Sequence, residues 1–177
     1  MRIETVTSEQ LSVPDADIMK AVNRKFPTGV TVVTTMEGDS PRGLAVNAFM
    51  SLSLDPPTVL FAVQHTSGTL PALFAREHAA INIVSAANAD DVKAFASKGV
   101  DKFANVDWVP GPFGSPLLGH ASAHMEVVLR ERIRASTHTL FVARVLHART
   151  FDEPPLVYFD GQFVNSVALY PADKTTG

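Results

Sequence analysis

The chain is a succession of short strand-type runs with helical spacing in only three places, and that pattern limits its fold more than any other feature. Residues 28–35 (TGVTVVTT) are β-branched almost throughout and read as a strand. A turn cluster follows at Glu37-Gly38-Asp39-Ser40-Pro41. Residues 43–54 then alternate. Leu44, Val46, Ala48, Met50 and Leu52 point one way, and Ala45, Asn47, Phe49, Ser51 and Ser53 the other. Small and polar residues on the second face suit the lining of a site. Further strands are expected at 58–63, 80–84, 124–133, 139–145 and 156–163. Helices are expected at 16–25, at 70–78 with Ser67 or Thr69 as N-cap, and at 90–97 with Gly99 as the stop. The Pro- and Gly-rich stretch 101–119 reads as an irregular loop. Helices do not alternate regularly with strands, so a doubly wound parallel sheet is disfavoured. A single, mainly β, antiparallel barrel with two or three helical insertions is the better reading.

The 177 residues suit one domain, large enough to bury roughly 70% of its unfolded surface. Residues 1–16 read as an N-terminal arm, 17–170 as the domain and 171–177 as a tail. Fifteen Lys and Arg against 18 Asp and Glu give a net charge of -3, without the clustered cations that nucleic-acid binding needs. No apolar run approaches the ~20 residues that cross a bilayer, and the first residues lack a secretory apolar stretch. The chain has no cysteine, which removes disulfides, thiolate metal sites and thiol nucleophiles together. That composition suits a cytoplasmic protein whose redox chemistry, if it has any, is carried by an organic cofactor or a non-thiolate metal. No glycine-rich phosphate loop, G-x-S-x-G or H-E-x-x-H occurs. His120 and His124 are four apart but lie on strand or loop, so no metal site is expected.

Residues 26–60, FPTGVTVVTTMEGDSPRGLAVNAFMSLSLDPPTVL, resemble the N-terminal half of the flavin reductase family. These proteins are the small partners of two-component flavin monooxygenases. AINIVS at 80–85, Asp101-Lys102-Phe103 and LVYFDGQF at 156–163 resemble further family segments in the same order. The resemblance implies a split β-barrel that dimerises and binds FMN or FAD. It implies that NADH or NADPH passes a hydride to the flavin, and that reduced flavin leaves for a separate oxygenase.

By the same resemblance Gly43, Leu44, Ala45, Asn47 and Ala48 border the flavin ring, and Gln64, Ser67, Gly68 and Thr69 lie near its phosphate. Ser51, Ser53, Ala62 and Val63 extend that surface, and Arg42 is a candidate for a charge-assisted contact. Phe103 is a candidate cover for the ring. Phe159, Asp160, Gly161 and Gln162 form a turn that the resemblance sets beside the nicotinamide. His138 is the sharpest single candidate: the family carries G-D-H there, and its His contacts the nicotinamide nucleotide. Here Ser136 and Thr137 replace Gly and Asp. A second reading is a flavin-binding module without reductase activity, such as a sensor or carrier. A pyridoxamine-phosphate type oxidase is a third, disfavoured because the strand region supplies one basic residue, Arg42. An interaction protein that binds no flavin is the last.

Overall fold

The computed structural model describes residues 13–99 and 101–169. Asp15 opens the first helix, α1 (Ala16–Arg24), by accepting N–H bonds from Asp17 and Ile18 at 2.9 Å. Its apolar stripe of Ile18, Met19 and Val22 stays exposed.

Seven strands make the main sheet. They are β2 (Thr31–Glu37), β3 (Ser40–Val46), β4 (Phe49–Leu54), β5 (Pro57–Gln64), β6 (His78–Ile83), β9 (Ala123–Ala135) and β10 (His138–Thr150). Their order is β3-β2-β6-β9-β10-β5-β4, with every neighbouring pair antiparallel. β3 and β4 are consecutive in the chain yet occupy opposite edges, so the sheet curls into an incompletely closed barrel. A separate three-stranded sheet joins β1 (Thr28–Gly29) to β11 (Leu156–Phe159) and β12 (Gln162–Asn165). A small hairpin pairs β7 (Trp108–Pro110) with β8 (Pro116–Leu118). Two further helices are α2 (Leu70–Ala75) and α3 (Ala89–Ala96).

The barrel interior holds Val33, Leu44, Val46, Phe61, Val63, Ile81, Val127 and Phe141, with Phe61 and Phe141 stacked at 5.1 Å. A second core joins Val32, Val84, Val92, Phe95 and Leu118 on the outer face. β2 lies between the two, which is why its Thr31–Thr35 segment is buried throughout and does not alternate. The ends of β11 and β12 meet at Asp160-Gly161, both with positive φ, the pattern of a tight two-residue hairpin.

Four expectations are corrected. The strand expected at 43–54 is two strands, parted at Asn47-Ala48. Crossing that gap changes which alternate residues face inward: Phe49 packs against the core, while Met50 and Leu52 are each 51% exposed. The helix expected at 70–78 ends at Ala75, because His78 already pairs with Val128 in β6. Neither Ser67 nor Thr69 caps it through a side chain, since the Thr69 hydroxyl donates instead to the Gly43 carbonyl at 2.8 Å. The stretch 101–119 contains β7 and β8. Buried side chains from the main sheet pin it: Asn82 Oδ1 accepts from Leu118 N–H at 2.9 Å, and the Glu126 carboxylate accepts from Phe113 and Ser115 N–H at 3.0–3.2 Å. Strands in the described residues therefore exceed the seven expected, because the runs at 28–35, 43–54 and 156–163 are each divided and β7 and β8 are added. Most of the arm, residues 1–12, and the tail 171–177 fall outside the described residues.

Candidate active site

Where β3 leaves the sheet, a cleft of about 1140 Å³ opens between β3, the start of β10, the loop before α2 and the end of α3. Its floor is β3. Gly43 brings the backbone close to α3, for a Cβ there would come within 2.6 Å of the Phe95 ring. Leu44, Ala45, Asn47 and Ala48 continue this wall. β5 contributes Ala62 and Gln64. Val63, between them, is 1% exposed and faces the barrel core, so period-two alternation takes it out of the site.

The loop Ser67-Gly68-Thr69 forms one end. Ser67 Oγ accepts from Thr69 N–H at 3.3 Å, and Thr69 ties this loop to β3 through Gly43. No atom lies within 4 Å of a Cβ built on Gly68, so its backbone faces open space. The amide side chains of Asn47 and Gln64 are exposed and have no protein partner among the described residues, which leaves donors and acceptors for a ligand.

His138 stands on the rim at the head of β10, opposite Gln64 in register. Its Nδ1 lies 2.9 Å from the Thr137 hydroxyl. Ser136, at the tip of the β9–β10 turn, has φ 51°, a conformation that favours glycine.

Arg42 is on the cleft, but its guanidinium is already paired with Glu37 at 2.7 Å, both half-exposed. Such a pair is worth only ~0–1 kcal/mol and partly cancels the charge. Lys102 is the cation that sequence reasoning left off the site. Its Nζ donates to the carbonyls of Phe95 (2.8 Å) and Gly43 (3.3 Å), so it fastens the end of α3 to β3. Burial holds its ammonium below the usual lysine range. The clue was present in Asp101-Lys102-Phe103. Phe103 lines the cleft, packed edge-on against both Phe95 (5.0 Å) and Trp108 (6.0 Å). Trp108, which had no assigned role, also lines it.

The remaining expected residues lie elsewhere. Ser51 and Ser53 follow the gap on β4, and Ser53 Oγ donates to the Asp55 carbonyl at 3.1 Å. Phe159, Asp160, Gly161 and Gln162 form the tip of the β11–β12 hairpin, against α1, where Asp160 N–H donates to the Arg24 carbonyl at 3.2 Å. None of these six lines this cleft.

The donor set and shape fit a flavin: a backbone-rich wall for a planar ring, free amides for its polar edge, and a hydroxyl-bearing loop with a lysine nearby for a phosphate. Comparison with known proteins agrees, since residues 23–166 match the flavin reductase like domain. The chain belongs to that family. This flavin reductase family member is 39% identical over 154 residues to the stachydrine N-demethylase reductase subunit of Rhizobium meliloti, covering 86% of this chain and 67% of that one. It superimposes on the NADH:FAD oxidoreductase of Streptomyces globisporus, solved with NAD and FAD fragments, at a TM-score of 0.82 and 32% identity. That match covers 97% of this chain and 99% of the other. A Sinorhizobium meliloti crystal structure matches at TM-score 0.84 and 30% identity over 89% of this chain, which spans 55% of that chain. Among the described residues, no helix is long and apolar enough to cross a membrane.

Proposed function

We propose that this protein is an NAD(P)H-dependent flavin reductase, which transfers hydride from NADH or NADPH to FMN or FAD and releases reduced flavin to a separate oxygenase. The observation that carries this is the cleft, whose β3 wall, free Asn47 and Gln64 amides and rim His138 converge on one space. Its volume lies just above the roughly 300–1,000 Å³ range of ligand pockets, which suits two ring systems together.

The flavin, when bound, accepts the hydride. The protein's part is alignment and exclusion of water. The β3 wall fixes the plane of one ring. Asn47 and Gln64 orient polar edges. Lys102, with Ser67 and Thr69, favours a phosphate at the α2 end. His138 holds the nicotinamide nucleotide from the opposite rim. Its Nδ1 is engaged by Thr137, which turns the choice of tautomer over to that hydroxyl. No acid or base is needed for the hydride itself.

The protein works as a homodimer in the cytoplasm. The exposed Met50, Leu52 and Leu54 of edge strand β4 are an apolar surface suited to a second copy. In a dimer the Phe159–Gln162 turn and β4 serines would belong to a neighbouring site.

The test is to add FMN and then NADH to the pure protein and follow absorbance at 340 nm. Turnover with flavin in excess supports the reductase. Flavin binding without loss of NADH or NADPH supports the binding module instead, and directs attention to Ser136 and Thr137.

A further inference from the structure

A second cavity, of about 630 Å³, lies on the other side of Trp108. It is lined chiefly by apolar groups from β8 and the turn after it, among them Leu117, Leu118 and Ala121, with Phe151 opposite. Trp108 lines both this cavity and the flavin cleft, so the indole is a shared wall.

The polar groups narrow what could enter. His124 Nε2 lies 2.7 Å from the Leu118 carbonyl. A carbonyl only accepts, so Nε2 carries the proton and Nδ1 is left as an acceptor. Its Nδ1 has no protein partner among the described residues. Burial favours this neutral form by pulling His124 below its usual range. The His124 ring meets Phe151 edge-on at 4.9 Å. Asp107, Asp152 and Glu153 also line the cavity, and none forms an ion pair among the described residues. Against them stand His120 on the same lining and Arg149, whose guanidinium lies 5.0 Å from the Phe151 ring; the three acids outnumber that one guanidinium and disfavour anions in the cavity.

We propose that this cavity is a second ligand site, for a small uncharged aromatic molecule carrying one hydrogen-bond donor, such as a phenol. The ring would lie among Trp108, Leu118 and Phe151, with its donor on His124. A carboxylate-bearing aromatic is rejected by the three acids. The site communicates with the flavin cleft through packing already described: Trp108 on Phe103, Phe103 on Phe95, and Phe95 against Gly43. A ligand that presses on Trp108 therefore presses on the flavin wall. The site itself stands on the cavity and does not depend on the reductase reading.

Trp108 is the one tryptophan of the chain, so its emission, excited at 295 nm, reports the site directly. Phenol, toluene and benzoate are the probes, each titrated with and without saturating FMN. Phenol is expected to change the emission saturably in both conditions. Toluene should bind about fivefold more weakly for want of the hydrogen bond, and benzoate about tenfold more weakly. His124→Phe, which keeps ring volume, should bring phenol down to the affinity of toluene. Far-ultraviolet circular dichroism checks that the variant is folded, and the three wild-type titrations stand without it. A flat phenol titration, equal binding of benzoate, or phenol displaced competitively by FMN would overturn the proposal. The rate of NADH loss with and without phenol then tests the link to the flavin wall. An unchanged rate in an active enzyme removes that link, while an inactive enzyme counts against the reductase reading and leaves the fluorescence result intact.

Discussion

Gly43 and His138 stand at opposite sides of the cleft and show two kinds of constraint. At Gly43 the constraint is space. Gly43→Ala places a Cβ 2.6 Å from the Phe95 ring, which is 1% exposed and must shift to admit it. The expected cost is about 1–3 kcal/mol, seen as a lower urea midpoint, with weaker flavin binding as α3 is pushed off β3. At His138 the constraint proposed is contact with the nucleotide. His138→Ala is expected to raise KM for NADH about tenfold while leaving kcat within a few fold, because it removes binding shared by ground and transition states. Steady-state kinetics at fixed flavin read the split; an unchanged KM would remove His138 from the site. Both were candidates from the sequence, Gly43 from a strand of small residues and His138 from the family resemblance, and both line the cleft. Ser51 and Ser53 do not line this cleft because of the gap before them, and Val63 because it alternates inward between Ala62 and Gln64. Alternation gives a face only while the strand continues, and the gap at Asn47-Ala48 is not written in local composition.

Among the elements, β9 has the widest reach. Its Glu126 is fully buried, and its carboxylate holds the Pro- and Gly-rich segment that carries Trp108 to the cleft. Glu126→Ala removes an acceptor from two backbone N–H groups and leaves a void. It should lower stability by about 2–4 kcal/mol in urea and blue- or red-shift Trp108 emission as β7 loosens. Segment 101–119 looked irregular because its order comes from Asn82 and Glu126, distant in sequence, and not from its own propensities. Two residues earlier on the same strand, His124 makes stability depend on pH. Burial is the main cause of its lowered pKa; the Arg149 charge adds to it, while the Leu118 hydrogen bond and Glu126 oppose it. The unfolded imidazole therefore takes its proton first, near 6.5. The stabilisation is complete above that pH and is lost as pH falls from there through the folded value. The urea midpoint should drop between pH 7.5 and 5.5, and His124→Phe should shrink that drop. An equal drop in both proteins would assign it to other groups.

For the whole molecule, the antiparallel barrel could be read from the run of short strands, and the strand order could not. Nothing local to residues 40–54 says that consecutive strands will lie on opposite edges of one sheet. That order follows from which runs bury which faces once the chain has collapsed. It also exposes β4, with Leu54 88% accessible. Sedimentation should find a species of twice the 19.0 kDa chain, and Leu52→Glu together with Met50→Glu should return it to the monomer mass. A wild-type protein that sediments as a monomer would end the dimer assignment.

β3 is hydrogen-bonded to a strand on one side only, and the cleft begins at its other side. An unpaired strand edge is a template on which a foreign strand can add. A flat ring seated on β3 fills that space and blocks the addition. On the proposed placement, flavin would shield this edge as well as react, and the flavin-free protein is expected to aggregate faster than the loaded one, which light scattering with and without FMN would read.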